Sequence, residues 1–88
     1  MLVNITADIT CKYNGTKPAY RLWLDEHLVN EREFIWSSMT TAIREHISVE
    51  IANGIHELKV ENVGYGAAVF SIDNIVVNGI PAGCKFRV

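Results

Sequence analysis

His56, Glu57 and Glu61 lie within one stretch of the sequence, NGIHELKVEN (residues 53–62). An imidazole and a carboxylate that meet can transfer protons as a general acid and base. The stretch opens with an Asn-Gly turn signal and continues as a β-strand, along which successive side chains point to opposite faces. His56 therefore shares a face with Leu58, while both glutamates lie on the other face. The sequence predicts a half-buried, hydrogen-bonded histidine and a solvent-facing ladder of charges, and it predicts no catalytic dyad.

The other residue types that could perform catalysis or bind a metal lie far apart. His27 and His46 have no second histidine at the spacing that makes a metal site recognisable. No serine has the G-x-S-x-G context of a nucleophile elbow. Cys11 and Cys84 are too few for a metal cage, and the sequence leaves open whether they form a disulfide or two buried thiols. We therefore predict that the protein is not an enzyme and has no metal and no cofactor.

Length and composition indicate a small globular protein. The 88 residues, 49% hydrophobic and 20% charged, suit one domain (residues 1–88) with a single modest core. The formal net charge is −2 and the basic residues are scattered, which argues against nucleic acid because phosphate binding needs a concentrated positive surface. No apolar run reaches the roughly 18 residues that span a bilayer, and the first ten residues lack the pattern of a signal peptide. We expect neither a nucleic acid nor a membrane partner.

The elements that position these residues are strands, because the dominant hydrophobic period is two. We predict a turn near residues 25–27, a loop over residues 37–46 and one continuous strand within residues 67–80. About seven strands and no long helix indicate an all-β fold, a single antiparallel β-sandwich. The predicted core consists of Ile5, Ile9, Leu22, Leu24, Val49, Ile51, Leu58, Val60, Phe70 and Ile72.

The aromatic residues indicate a binding surface. The two-residue period places Trp23 on one face of its strand, with Arg21 and Asp25 as neighbours on that face. The opposite face holds Tyr20, Leu22 and Leu24. If the Trp23 side faces outward, a partner should cover the indole, whereas a second sheet packed over it would make it part of the core. Trp36 is a second candidate binding residue with the same alternative.

Three segments resemble a known family. RLWLDEHLV, ISVEIANGIHELKVEN and FSIDNIVVNG resemble the jelly-roll β-sandwiches of small carbohydrate-binding modules. In these modules a strand with an acidic turn precedes a Gly-turn-His-x-Leu-x-Val strand and a later aromatic-x-hydrophobic-Asp-Asn strand. The resemblance covers about two thirds of the chain and implies a jelly-roll-like sandwich. Small sandwiches of this kind are also similar to accessory proteins of bacteriophage particles, such as capsid decoration or tail proteins.

The resemblance implies two functions. In the preferred interpretation the chain is a structural component of a virion that assembles in the host cytoplasm, because such proteins need no export signal. Its partners are then protein subunits of a larger assembly, and we expect a homo-oligomer. In the alternative interpretation the chain is a carbohydrate-binding module that recognises a glycan through exposed aromatic residues. The candidate binding residues are Arg21, Trp23, Asp25 and Trp36 in both interpretations.

Overall fold

In a computed structural model, residues 1–12, 18–34, 42–64 and 68–88 are described. Eight strands follow one another along the chain. They are β1 (Leu2–Lys12), β2 (Ala19–Leu24), β3 (His27–Glu33), β4 (Ile43–Glu50), β5 (Ile55–Asn62), β6 (Val69–Val77), β7 (Ile80–Ala82) and β8 (Lys85–Arg87). The described residues contain no helix, and hence none that could cross a membrane.

The strands form two antiparallel four-stranded sheets, in the orders β4-β1-β6-β7 and β3-β2-β5-β8. The predicted all-β antiparallel sandwich is confirmed. The chain crosses from β3 to lie beside β1 as β4, which is the Greek-key return common in sandwiches. The likeness to a jelly roll is limited to this return, because β1 pairs with β4 and β6 rather than with the last strand.

The eighth strand arises because residues 67–80 do not form one continuous strand. Asn78 and Gly79 adopt φ values of 50° and 80°, the left-handed conformation that a two-residue hairpin turn requires. Val77 pairs with Ile80 across this turn. An Asn-Gly pair is a strong hairpin signal, and the prediction of a single strand overlooked it.

The core lies between the inner faces of the two sheets. The predicted core residues Ile5, Ile9, Leu22, Leu24 and Leu58 are fully buried. The other predicted residues, Val49, Ile51, Val60, Phe70 and Ile72, are partly buried and pack against that core. Hydrophobic period alone therefore identified the inner face of each of these strands.

A buried carboxylate joins the three adjacent strands β4, β1 and β6 of the first sheet. Asp8 points outward from β1 but is only 9% exposed, and its carboxylate accepts hydrogen bonds from Arg44 Nε (2.9 Å) and Asn74 Nδ2 (3.0 Å). These two bonds lower the pKa of Asp8 below its ordinary value. The register of β1 against β6 shifts between Thr6 and Asp8, which is a β-bulge.

The two cysteines are both free, so the disulfide that the sequence left open is not formed. Cys11 is buried in the core, and burial raises the pKa of its thiol. Cys84 is exposed, so the alternative of two buried thiols holds for Cys11 alone.

The predicted loop over residues 37–46 is wrong at its end. Residues 37–41 lie outside the described residues, but β4 already begins at Ile43. Ile43 and Glu45 are buried while Arg44 and His46 are exposed, so the period of two extends further back than the Ser- and Thr-rich segment indicated. The early start of β4 brings Glu45 against β2 and Arg44 against Asp8.

Candidate functional site

Trp23 lies on the outer face of the second sheet, so of the two alternatives that the sequence left open, the outward position holds. Its neighbours on β2, Leu22 and Leu24, are buried, whereas Trp23 is partly exposed. Trp23 pairs with Leu28 of β3 on one side and with Lys59 of β5 on the other. Leu28 is 49% exposed, and directly opposed residues share a face. Two large apolar side chains therefore lie side by side on this outer surface.

Charged side chains surround this apolar pair. Arg21 Nε lies 3.2 Å from Glu31 Oε2, although this contact lacks the geometry of a hydrogen bond, and Arg21 Nη1 lies 4.0 Å from Glu61 Oε1. Trp23 Nε1 donates to the same Glu61 oxygen at 3.2 Å. We call the surface formed by Arg21, Trp23, Leu28, Glu31, Lys59 and Glu61 the Trp23 face. Its two cations and two carboxylates balance.

Asp25 does not belong to the Trp23 face, contrary to the prediction. Its φ of 55° interrupts the alternation of β2 at the turn, so the two-residue period no longer applies. The carboxylate instead accepts from His56 Nδ1 at 2.6 Å and from the backbone N–H of Glu57 at 2.9 Å. Asp25 and His56 thereby line a cavity of about 440 Å³ at one end of the sandwich, together with residues of β3 and β4.

Trp36, the other predicted binding residue, lies outside the described residues. Of the four candidates, Arg21 and Trp23 are therefore brought together on one surface, and Asp25 is held in a different environment. The conclusion that His56 forms no dyad with Glu57 or Glu61 agrees with the geometry, because its partner is Asp25.

His56 is enclosed by two acceptors. Nδ1 faces the Asp25 carboxylate at 2.6 Å, and Nε2 lies 2.7 Å from the carbonyl oxygen of Ala52. A carbonyl and an ionised carboxylate only accept, so both bonds form when both ring nitrogens carry a proton. The hydrogen bond to Asp25 and then that to Ala52 raise the pKa of His56 above its ordinary value of 6.5. The bonds from His56 and from the Glu57 amide lower the pKa of Asp25 below 3.8.

The Asp25–His56 pair is expected to stabilise the fold within a limited pH window. The raised pKa of His56 gives a contribution that is full below the unfolded value of 6.5 and is lost as pH rises through the folded pKa. The lowered pKa of Asp25 gives a contribution present above 3.8 and lost as pH falls through the folded pKa. Because the Asp25 side chain is 38% exposed, the contribution should be no more than about 1 kcal/mol.

The window is measurable by comparing urea unfolding of the wild type and Asp25→Asn between pH 3 and pH 9. Asparagine tolerates the positive φ and can still accept from Glu57, so the substitution chiefly removes the charge. The difference in stability should be largest between about pH 4 and 6.5 and should shrink on both sides. A difference that stays constant across the whole range would contradict the ion pair.

A buried polar network occupies the opposite side of the β2–β3 hairpin from the Trp23 face. The Glu45 side chain is 3% exposed and accepts from Tyr20 Oη at 2.5 Å, Asn30 Nδ2 at 2.9 Å and Arg32 Nη2 at 3.3 Å. Arg32 Nε also lies 2.9 Å from Glu45 Oε1. Burial and the bond to Glu45 raise the pKa of the Tyr20 hydroxyl, so it remains a donor. Glu45 follows Ile43 at a spacing of two residues, which places both on the same face of the strand. This spacing was the signal in the sequence that could have predicted a buried glutamate.

Within the described residues, the ionisable side chains that are most buried are hydrogen-bonded to other groups of the fold, whereas Trp23 and Leu28 leave apolar surface exposed. His56, Asp25 and Glu45 are each occupied by hydrogen bonds within the fold, and no three potential metal ligands cluster there. Comparisons with protein-family models, curated proteins and solved structures give no match. Function must therefore be argued from the geometry of the Trp23 face.

Proposed function

We propose that the protein is a non-enzymatic structural module that binds protein subunits of a larger assembly through the Trp23 face. The observation that carries the proposal is the adjacent pair Trp23 and Leu28, exposed on the outside of a sheet and surrounded by balanced charges. An apolar centre with a polar rim is the usual anatomy of a protein interface, and Trp is enriched among the residues that dominate binding energy.

The state of the surrounding charges supports a protein partner. Arg21, Glu31 and Glu61 already contact one another or Trp23 across three strands. These contacts hold the side chains in place before binding, so less side-chain entropy is lost when a partner docks. Because the face carries no excess of either sign, the proposal requires a partner surface that is largely uncharged or that matches the alternating charges.

The specific form of the proposal is a bacteriophage virion accessory protein, a capsid decoration or tail component assembled in the host cytoplasm. Its support is the general likeness of small β-sandwiches to such particle proteins, whereas the three sequence segments described above resemble carbohydrate-binding modules. The proposed absence of catalysis is supported by the hydrogen bonds that occupy His56 and Asp25.

A carbohydrate-binding module is the second candidate, and Trp23 is again the observation that favours it. An indole on a flat sheet surface can stack on a sugar ring, and the adjacent Arg21 and Glu61 can hydrogen-bond hydroxyl groups. The two candidates differ in the partner that the same indole would contact, so one substitution tests both.

Trp23→Ala should leave the fold intact and weaken binding to the partner by about 2 kcal/mol, or roughly thirtyfold, if the indole anchors the interface. The measurement is co-sedimentation of the chain with the products of neighbouring genes, alongside the melting temperature and glycan binding. Lys59→Ala is the matched control, because it changes a neighbour on the same face without removing the aromatic surface.

The outcomes separate the proposals. Loss of subunit binding at an unchanged melting temperature supports the assembly role, and loss of glycan binding supports the carbohydrate role. A large fall in melting temperature with binding retained would show that Trp23 acts in the fold. A variant unchanged in stability, subunit binding and glycan binding would refute both functions.

A further inference from the structure

Strand β4 forms one edge of the first sheet, and the backbone groups on its β1 side are hydrogen-bonded to β1. Met1 and Ile51 exchange both backbone bonds, at 2.7 and 3.0 Å, and the register from there to Ile9↔Ile43 runs without a shift. In an antiparallel ladder such pairs alternate with pairs that exchange no bond. The backbone groups of Arg44, His46, Ser48 and Glu50 therefore point away from β1.

Asn4 provides an independent check of this alternation. Asn4 pairs with Ser48 in the register of β1 and β4. Its N–H donates to Asn78 Oδ1 at 2.9 Å, and its carbonyl accepts from the N–H of Asn78 at 2.8 Å. Both backbone groups of Asn4 are thus used on the far side of β1. The pair Asn4↔Ser48 exchanges no backbone bond, as the alternation requires.

The four edges of the sandwich differ in their capacity to accept another strand. Strands β7 and β8 have three residues each. Strand β3 has a register shift against β2, which distorts an edge and disfavours pairing with a further strand. Strand β4 has eight residues in continuous register, and neither Pro nor Lys occurs in it. Within the described residues, no strand pairs with its outer side.

The sequence of β4 is complementary to itself in one antiparallel register. A two-fold axis at Ile47 opposes Arg44 of each chain to Glu50 of the other, and His46 to Ser48. All four outward residues then meet outward residues, and the charged positions meet opposite charges, which stabilises cross-strand pairs. An axis at His46 or at Ser48 forms one hydrogen-bonded pair fewer and leaves Arg44 opposite no carboxylate.

The side chains at this edge are available for the pairing. The Arg44 and Glu50 side chains are 62% and 74% exposed. Asp8 engages only Nε and Nη2 of Arg44, and the Met1 ammonium lies 3.0 Å from Oε1 of Glu50, so Nη1 of Arg44 and Oε2 of Glu50 can meet across the axis. Ile47 and Val49 are half-buried on the inner face, beside a cleft of about 220 Å³ between β3 and β4. Pairing would bury the remaining apolar surface of both residues.

We propose that two copies of this chain associate through their β4 edges about a two-fold axis at Ile47, which joins the two first sheets into one continuous eight-stranded sheet. Such an interface is isologous and closed, so it yields a dimer and not a filament. The Trp23 face lies on the other sheet and remains free for the partner described above. The dimer is independent of that partner, because the two surfaces share no residue.

The test is the sedimentation mass of the purified chain as a function of concentration. The wild type should approach twice the chain mass of 9.9 kDa. Ser48→Pro removes an outward N–H that the fold itself does not use, and should raise the dimer dissociation constant at least tenfold. Ser48→Ala is its matched control, since both variants lose the Ser48–Asn4 side-chain bond of 2.6 Å but only proline loses the N–H.

Glu50→Lys provides a second test that leaves the backbone groups unchanged and places a cation opposite Arg44 of the second copy. It also removes the ion pair of Glu50 with the Met1 ammonium, which Glu50→Gln removes as well. It should also weaken the dimer at least tenfold, while Glu50→Gln should weaken it less. Trp23→Ala should leave the dimer mass unchanged, which separates this proposal from the function of the Trp23 face.

Hydrogen exchange locates the interface. In the concentrated protein the amides of Arg44, His46, Ser48 and Glu50 should be protected, and dilution should release them while the intervening amides of β4 remain protected by β1. A wild type that is monomeric at every concentration would overturn the proposal. A dimer whose four outward amides exchange freely, or one that tolerates both Ser48→Pro and Glu50→Lys, would overturn it equally.

Discussion

Glu45→Ala is expected to lower the free energy of unfolding by about 3 kcal/mol. The substitution removes the acceptor of Tyr20, Asn30 and Arg32 at a site where the carboxylate is 3% exposed. The Tyr20 hydroxyl would be left buried without a partner, which costs about 1–3 kcal/mol, and a small cavity adds to that cost. Arg32 is 44% exposed and can turn to water, so the loss should not reach that of a fully buried ion pair.

The measurement is thermal or urea unfolding at one fixed protein concentration, and the melting temperature should fall by about 12–24 °C for a domain of this size. Glu33→Ala is the matched control, because it removes an exposed glutamate from the neighbouring strand and should change stability by less than about 0.5 kcal/mol. Equal stability of the two variants would show that the network around Glu45 contributes nothing to the fold.

Leu58→Ala is expected to destabilise the protein by about 2–5 kcal/mol. Leu58 is 1% exposed and lies on β5 opposite Leu24 of β2, so truncation removes buried methyl groups and leaves a cavity between the sheets. The carbonyl of Cys84 accepts the Leu58 N–H at 2.8 Å, and alanine retains this bond. The loss should therefore report side-chain packing alone.

Lys59→Ala is the control for this substitution, since the adjacent side chain points outward and is 58% exposed. Its stability should remain within about 0.5 kcal/mol of the wild type. Chemical denaturation of both variants gives the comparison. A loss below about 1 kcal/mol for Leu58→Ala would mean that the core rearranges to fill the cavity.

The two faces of each strand could be predicted from the sequence alone. Trp23 lies on the face of β2 opposite that of Leu22 and Leu24 because alternation is a property of the extended backbone itself. The same argument separated His56 from Glu57 and Glu61. These predictions needed no knowledge of which strands are neighbours.

Alternation failed where the backbone leaves the extended conformation. Asp25 has a positive φ, so counting residues from Trp23 placed it on the wrong surface. The turn at Asn78 and Gly79 divides a segment that was read as one strand. In both cases a local dihedral angle changes the direction of the chain, and the spacing of hydrophobic residues does not predict that change.

The sequence by itself thus determined the all-β class and the division of each strand into two faces, because both follow from the extended backbone and its hydrophobic period. The tertiary structure decided that the face of β2 with Trp23 is the outer one. It also decided which polar groups meet. His56 finds Asp25 at a separation of 31 residues, and Tyr20 finds Glu45 at a separation of 25. The order of the strands brings these residues together. The packing of all eight strands selects that order, so no single segment of the sequence contains the information.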